Sequence, residues 1–120
     1  MRFVRFRRKF DDLISTLQDR EAPTCLVVVF ENVRRHMGTD AAHVYGGIVA
    51  HLTAFCEEAQ IPYQGIAVGT IKKTATGKGN ADKAQMVDAA RKRWPDANIS
   101  DDNEADARWI AETAVAERMV

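Results

Sequence analysis

The hydrophobic pattern of the chain predicts helices that alternate with strands. Apolar residues recur at helical spacing in four segments, over 3–18, 41–59, 81–94 and 103–118. A continuous apolar run at 25–30 is typical of a strand buried on both faces, and a second, shorter strand is expected at 63–68. The predicted order is α-β-α-β-α-α, an α/β fold whose two strands run parallel.

Polar residues at the segment ends predict where the helices begin. Asp40 and Asp102 each precede an apolar pattern and are predicted to cap it. Gly46 and Gly47 weaken the second helix but permit close packing there. The first helix is expected to bury one apolar face, formed by Phe6, Phe10, Leu13, Ile14 and Leu17.

The stretch from Ile71 to Lys83 is the most distinctive part of the sequence. It reads IKKTATGKGNADK and holds four lysines and two glycines, and we predict a loop that leads into a helix. Glycine permits close approach of the backbone to a bound group, and lysine supplies point charges that suit phosphate. The stretch is therefore a candidate phosphate-binding loop, and a solvated basic loop is the alternative.

Composition favours one domain over 1–120 in a protein of the cytoplasm. The 120 residues carry 46% apolar and 28% charged side chains, as ordinary globular proteins do. No apolar run is long enough to cross a membrane, and no membrane partner is expected. Cys25 and Cys56 lie in apolar patterns, which is typical of reduced, buried thiols.

Three ordered motifs resemble RuvC-type Holliday junction resolvases, in particular the phage and prophage branch of that RNase H-like family. They are IKKTATGKGNADK at 71–83, VVVFENVRRH at 27–36 and DDNEADA at 101–107. The resemblance runs from about Phe10 onward. It implies an RNase H-like layered fold and Mg²⁺-dependent cleavage of branched DNA by a homodimer.

The resemblance also implies roles for individual residues. Glu31 matches the second metal-binding acid of the family and Asp106 the fourth, whereas the third acid falls on Asn103. An amide brings no charge, so the neighbouring Asp102 or Glu104 is an alternative ligand. From the residues alone, Glu31 ends a strand and Asp102 caps a helix, so both also have purely structural interpretations.

Basic and glycine residues supply the expected DNA contacts. Lys72 and Lys83 match the two loop lysines that serve catalysis and DNA contact, and Lys83 is expected near the reacting phosphate. Arg34 and Arg35 follow Glu31 directly and either touch DNA or form a solvated loop. The remaining candidate contacts to the phosphate backbone are Lys73, Gly77, Lys78 and Gly79.

The family pattern begins with a three-stranded meander that carries its first acid, and no residue here corresponds to it. We therefore expect an N-terminally truncated domain. Two functions stay open: a Mg²⁺-dependent junction endonuclease, or a catalytically inert module that binds nucleic acid or packs against a partner. Without the meander, one edge of the 25–30 strand is expected to be unpaired, so the chain should self-associate or be marginally folded.

Overall fold

The computed structural model describes residues 2–20, 26–36 and 38–118, with the side chains at 19 and 20 left out. The elements in chain order are α1 (Arg2–Arg20), β1 (Val28–Asn32), α2 (Thr39–Glu58), β2 (Tyr63–Ala67), α3 (Val68–Thr76), α4 (Lys83–Arg93), a short 3₁₀ helix (Pro95–Ala97) and α5 (Asp102–Ala116). The α/β class and the two parallel strands are confirmed. The contacts of the chain divide it into two compact units, one of residues 1–28 and 34–63 and one of residues 29–33 and 64–120.

The first unit is built on the packing of α1 against α2. Ile14 and Cys56 are buried between them, and the ring of Phe10 meets that of Phe55 edge-on at 5.1 Å between centroids. The predicted apolar face of α1 is only partly used, because Leu13 remains 53% exposed. Cys56 is a free, buried thiol as expected, and Cys25 lies outside the described residues.

The second unit has a core between its sheet and the helices α3, α4 and α5. Trp109 is buried at its centre and donates a hydrogen bond from Nε1 to the Met86 carbonyl oxygen at 3.2 Å. Thr113 is fully buried, and its hydroxyl is satisfied there because it donates to the Trp109 carbonyl oxygen at 2.6 Å. Trp94 is half-buried and packs on Trp109 with 4.8 Å between ring centroids. These contacts fix α4 and α5 against each other.

The segment at 71–83 is not the long loop that its glycines and lysines predicted. Residues 68–76 form α3, and only 77–82 connect it to α4. Three threonines and a glycine give α3 a low intrinsic helix propensity. The helix is therefore stabilised by tertiary packing, through its buried residue Ile71. Gly77 ends α3 in a left-handed conformation with φ 81°, and its N–H donates to the Lys73 carbonyl oxygen.

Two predicted helix caps are wrong by one or two residues. Gly38 stands at the N-cap of α2, and Asp40 lies within its first turn. Asp101 caps α5 by accepting a hydrogen bond from the Glu104 N–H at 2.8 Å, which leaves Asp102 as the first helical residue. The carboxylate of Asp102 is therefore not used as a cap.

Strand β1 lies further along the chain than its apolar run predicted. It spans Val28–Asn32, so Glu31 is part of the strand and does not follow it. The strand was expected to be buried on both faces, but its residues Val28, Val29 and Phe30 are only half-buried. Within the described residues the sheet has the order β1-β2, with β2 on one edge of β1. Self-association through the other edge stays a prediction.

None of the described helices is long and apolar enough to cross a membrane.

The two neighbouring glycines of α2 should respond differently when each is replaced by alanine. Nothing lies within 4 Å of a Cβ built at Gly46, so Gly46→Ala should stabilise the chain by about 1 kcal/mol through helix propensity. A Cβ at Gly47 would overlap the Phe3 ring, which stacks on His51. Gly47→Ala should therefore gain clearly less or destabilise. Thermal unfolding of both variants measures the difference, and equal gains would contradict the packing of Phe3 on Gly47.

Candidate functional site

The second unit contains a cavity of about 450 Å³ in which acidic and basic side chains meet. Glu31 enters it from β1, Asp106 from α5, Lys72 from α3 and Lys83 from α4. The apolar part of its wall includes Ile71, Met86 and Ile110. Four separate elements thus bring together the two acids and the two lysines that the sequence singled out.

Local structure explains why these side chains reach one cavity. Glu31 is the fourth residue of β1, on a strand that pairs with β2. Lys72 follows the buried Ile71 in α3 and is itself half-buried. Asp106 lies four residues after Asp102 in α5, so both point from the same face of the helix.

Asp82 lines the same cavity and was not recognised in the sequence. Its carboxylate accepts a hydrogen bond from the Gln85 N–H at 2.8 Å, and the Gln85 side chain accepts one from the Asp82 N–H at 2.9 Å. This capping box begins α4 and so sets the position of Lys83, its first residue. The D-x-x-Q pattern at 82–85 was a signal that sequence analysis could have used.

Burial and nearby negative charge raise the pKa of both acids. The pKa of Glu31 is raised from its ordinary value, first by burial and then by the negative charge of Asp106, with Lys72 acting in the opposite direction. The pKa of Asp106 is raised by burial and then by Asp102, while Lys83 and Lys72 lower it.

Lysines offset the negative charge of this cluster. The ammonium of Lys83 lies 3.6 Å from the Asp102 carboxylate, in an ion pair whose lysine side chain is 88% exposed. An ion pair this open to water contributes little to stability. Its exposure leaves the Lys83 ammonium within reach of a ligand that approaches the cavity.

Several other predicted site residues lie outside the cavity wall. Asn103 is exposed on α5. Lys73 lines a separate depression with Thr70 and Glu117, and Lys78 lines another with Gln85 and Lys92.

The remaining candidates lie in exposed connecting segments. Gly77 and Gly79 are exposed between α3 and α4. Arg34 and Arg35 are exposed after β1 and belong to the first unit. The structure therefore does not gather all the predicted DNA contacts around the cavity.

The donor set of the cavity suits a hard divalent cation. Glu31 and Asp106 supply carboxylate oxygens, and Mg²⁺ commonly binds through one or two carboxylates while it retains several waters. Across the described residues, no group of three or more His, Cys, Asp or Glu side chains is arranged to hold a metal ion. The predicted four-residue set of Glu31, Asp102, Asn103 and Asp106 is thus not assembled here as one ligand group.

The elements and the cavity define an α/β protein with a mixed acidic and basic site at the end of a short parallel sheet. Among solved structures, the chain is similar to the RuvC structure from Thermus thermophilus, with a TM-score of 0.67 and 22% sequence identity. The similarity covers 98% of this chain and 69% of that chain. No protein-family model matches the sequence, and a search of curated proteins gives no match. The chain therefore has a RuvC-like fold.

The raised pKa values predict how stability depends on pH. A carboxyl whose pKa is higher in the folded chain binds its proton more tightly there, so stability falls as pH rises through the ordinary values of 3.8 for aspartate and 4.5 for glutamate towards the raised values. Glu31→Gln and Asp106→Asn should therefore raise the melting temperature of the metal-free protein at pH 7. The gain should fade as the pH approaches 4.

Asp88→Asn provides the matched control, because Asp88 is an exposed carboxylate of α4 outside the cavity. Melting curves from pH 4 to 8, recorded with EDTA, measure the effect. A lower melting temperature at pH 7 in either cavity variant would contradict the electrostatic description of the site.

Proposed function

We propose that this chain is a RuvC-like, Mg²⁺-dependent endonuclease of the phage type that cleaves branched DNA such as the Holliday junction. One observation carries the proposal: Glu31, Asp106, Lys72 and Lys83 line one cavity in a chain with a RuvC-like fold. Such an enzyme would act in DNA recombination and repair in the cytoplasm. A homodimer suits a four-way junction, since the junction offers two symmetric cuts.

The acids of the cavity are the proposed metal ligands. Glu31 and Asp106 would hold Mg²⁺, and Asp102 or Asn103 would assist. When bound, the metal supplies activation of a water and stabilisation of the leaving oxygen in phosphodiester hydrolysis. The raised pKa of both acids supports this role, because a divalent cation relieves the repulsion that raises them.

The lysines of the cavity are the proposed phosphate ligands. Lys83 would contact the reacting phosphate. Its exposed ammonium and its ion pair with Asp102, a candidate metal ligand, support this role. Lys72 is half-buried beside both acids and lowers the pKa of each. It would offset their negative charge inside the cavity. The exposed Lys73 and Lys78 would bind the DNA backbone further out.

Two other groups of exposed residues complete the proposed DNA contacts. Gly77 and Gly79 present backbone without a Cβ between α3 and α4, where a phosphate can approach closely. Arg34 and Arg35 offer guanidinium groups after the strand that carries Glu31. These contacts would position the DNA and would not read its sequence.

The small number of side chains that could bind a metal ion favours a second, non-catalytic function. Within the part of the chain that the structure describes, no three acidic or histidine side chains form a metal-binding group. A catalytically inert RNase H-like module that binds nucleic acid, or that packs against a partner, is therefore the alternative. Cleavage with Mg²⁺ separates the two functions directly.

The nuclease assay uses a labelled synthetic four-way junction with Mg²⁺ or with EDTA. Glu31→Gln and Asp106→Asn should each abolish Mg²⁺-dependent cleavage and leave DNA binding intact, because each removes a ligand charge with little change of shape. Asp88→Asn is the control that should retain activity. Full activity in Glu31→Gln would rule out this site, and the absence of cleavage by the wild-type chain would favour the inert module.

The identity of the third ligand can be tested by metal binding. Neither Asp102 nor Asn103 lines the cavity. Asp102 acts on the pKa of Asp106 and lies on the same helix face, whereas Asn103 is exposed. Asp102→Asn should therefore weaken Mg²⁺ binding on the order of tenfold, and Asn103→Asp should leave it unchanged. Calorimetric titration without DNA measures both. Tighter binding in Asn103→Asp alone would assign the ligand to the position that matches the motif.

A further inference from the structure

The first two turns of α1 carry a concentration of positive charge. Residues 2–9 contain five cationic side chains and no acid. All of them belong to α1, in the first of the two units. The proposed nuclease site uses none of them.

One of these cations is engaged and the others face water. The guanidinium of Arg7 pairs with the Glu58 carboxylate at 3.1 Å. The remaining four are exposed, and no salt bridge to them is found among the described residues; they are Arg2, Arg5, Arg8 and Lys9. Their charges are therefore available to a partner.

The four exposed cations lie on one side of the helix. Successive residues advance by about 100° and 1.5 Å, so Arg2, Arg5 and Lys9 follow one another along a face at intervals of roughly 4.5–6 Å. Arg8 lies beside this line, and Asp12 continues it one turn further on. We call Arg2, Arg5, Arg8 and Lys9 the basic face of α1.

The apolar side chains near these cations are used inside the unit. The Phe3 ring stacks on His51 with 5.4 Å between centroids, and Phe10 packs on Phe55. Of the strongly exposed apolar residues of α1, only Val4 lies among the cations, whereas Leu13 lies beyond them. A helix that binds a membrane surface needs an apolar face free to insert beside its cations. The arrangement favours a hydrated polyanion over a lipid surface.

We infer that the basic face of α1 is a second DNA-binding surface, which contacts phosphates of a duplex arm. The choice of DNA as the polyanion rests on the proposed function, whereas the charged surface itself does not. Arginine and lysine neutralise phosphates, and guanidinium groups bind phosphate oxygens in pairs. Such contacts raise affinity without selecting sequence.

The test compares salt dependence of binding in the full chain. The triple variant Arg2→Gln/Arg5→Gln/Lys9→Gln retains helix-forming side chains of similar length and removes three cations. Fluorescence anisotropy with a labelled four-way junction, titrated from about 50 to 200 mM salt, gives the slope of log K against log salt concentration. The slope should become shallower by about two to three, at about 0.9 for each phosphate that the variant no longer neutralises.

Two single variants calibrate this measurement. Arg7→Gln lies in the same helix and removes a cation already paired with Glu58, so its slope should change by much less than one. Lys78→Ala should reduce the slope by about one if that lysine also contacts a phosphate.

If the triple variant unfolds, a variant that removes a negative charge instead of positive ones still tests the inference. Asp12→Asn removes an exposed acid that shares the basic face, so it should tighten DNA binding and steepen the slope. An unchanged slope in the triple variant, or in Asp12→Asn where the triple variant does not fold, would overturn the inference. Binding of the wild-type chain to anionic phosphatidylserine vesicles, without binding to DNA, would overturn it as well.

The outcomes for this surface and for the proposed function are separable. Junction cleavage by a triple variant whose salt slope is unchanged would reject the basic face and retain the nuclease. DNA binding that weakens in the triple variant, in a chain that never cleaves, would support the basic face and reject the nuclease.

Discussion

The site depends on keeping two carboxylates half-buried around one cavity. Burial raises the pKa of Glu31 and of Asp106, because a carboxylate loses hydration there. The negative charge of Asp106 raises the pKa of Glu31 further, and that of Asp102 raises the pKa of Asp106. The fold limits this cost by bringing in Lys72 from α3 and Lys83 from α4. A cluster of carboxylates built in this way resists ionisation and is stabilised by an added cation.

The core of the second unit holds these charges in position. Trp109 lies one turn after Asp106 in α5, and its indole donates to the Met86 carbonyl oxygen of α4. Met86 is at once buried in the core and part of the cavity wall. The packing of Trp109 on α4 therefore helps to set the distance between the acid of α5 and the lysine that begins α4. Loss of that packing would move the charges as well as destabilise the unit.

The helices with a strong apolar periodicity could be predicted from the sequence. The helix that is stabilised mainly by tertiary contacts could not. The apolar periodicity located α1, α2, α4 and α5 within a few residues, because burial dominates there. It missed α3, whose threonines and glycine disfavour a helix in isolation. The capping role of Asp82 was also missed, since the nearby lysines and glycines dominated the interpretation of that segment. Of the site, Glu31, Asp106, Lys72 and Lys83 were singled out through resemblance, but their meeting in one cavity depends on packing that no local pattern encodes.

The start of α5 determines which side chains of its acidic motif can serve the cavity. Asp101 caps the helix, so the first helical residue is Asp102, and positions four apart then share a face. That face carries Asp106 and, after another turn, Ile110 into the cavity wall. Asn103 is rotated from Asp102 by about 100° and remains exposed. The negative charge that acts on the pKa of Asp106 is therefore that of Asp102 on this face, and the neighbouring Asn103 brings none.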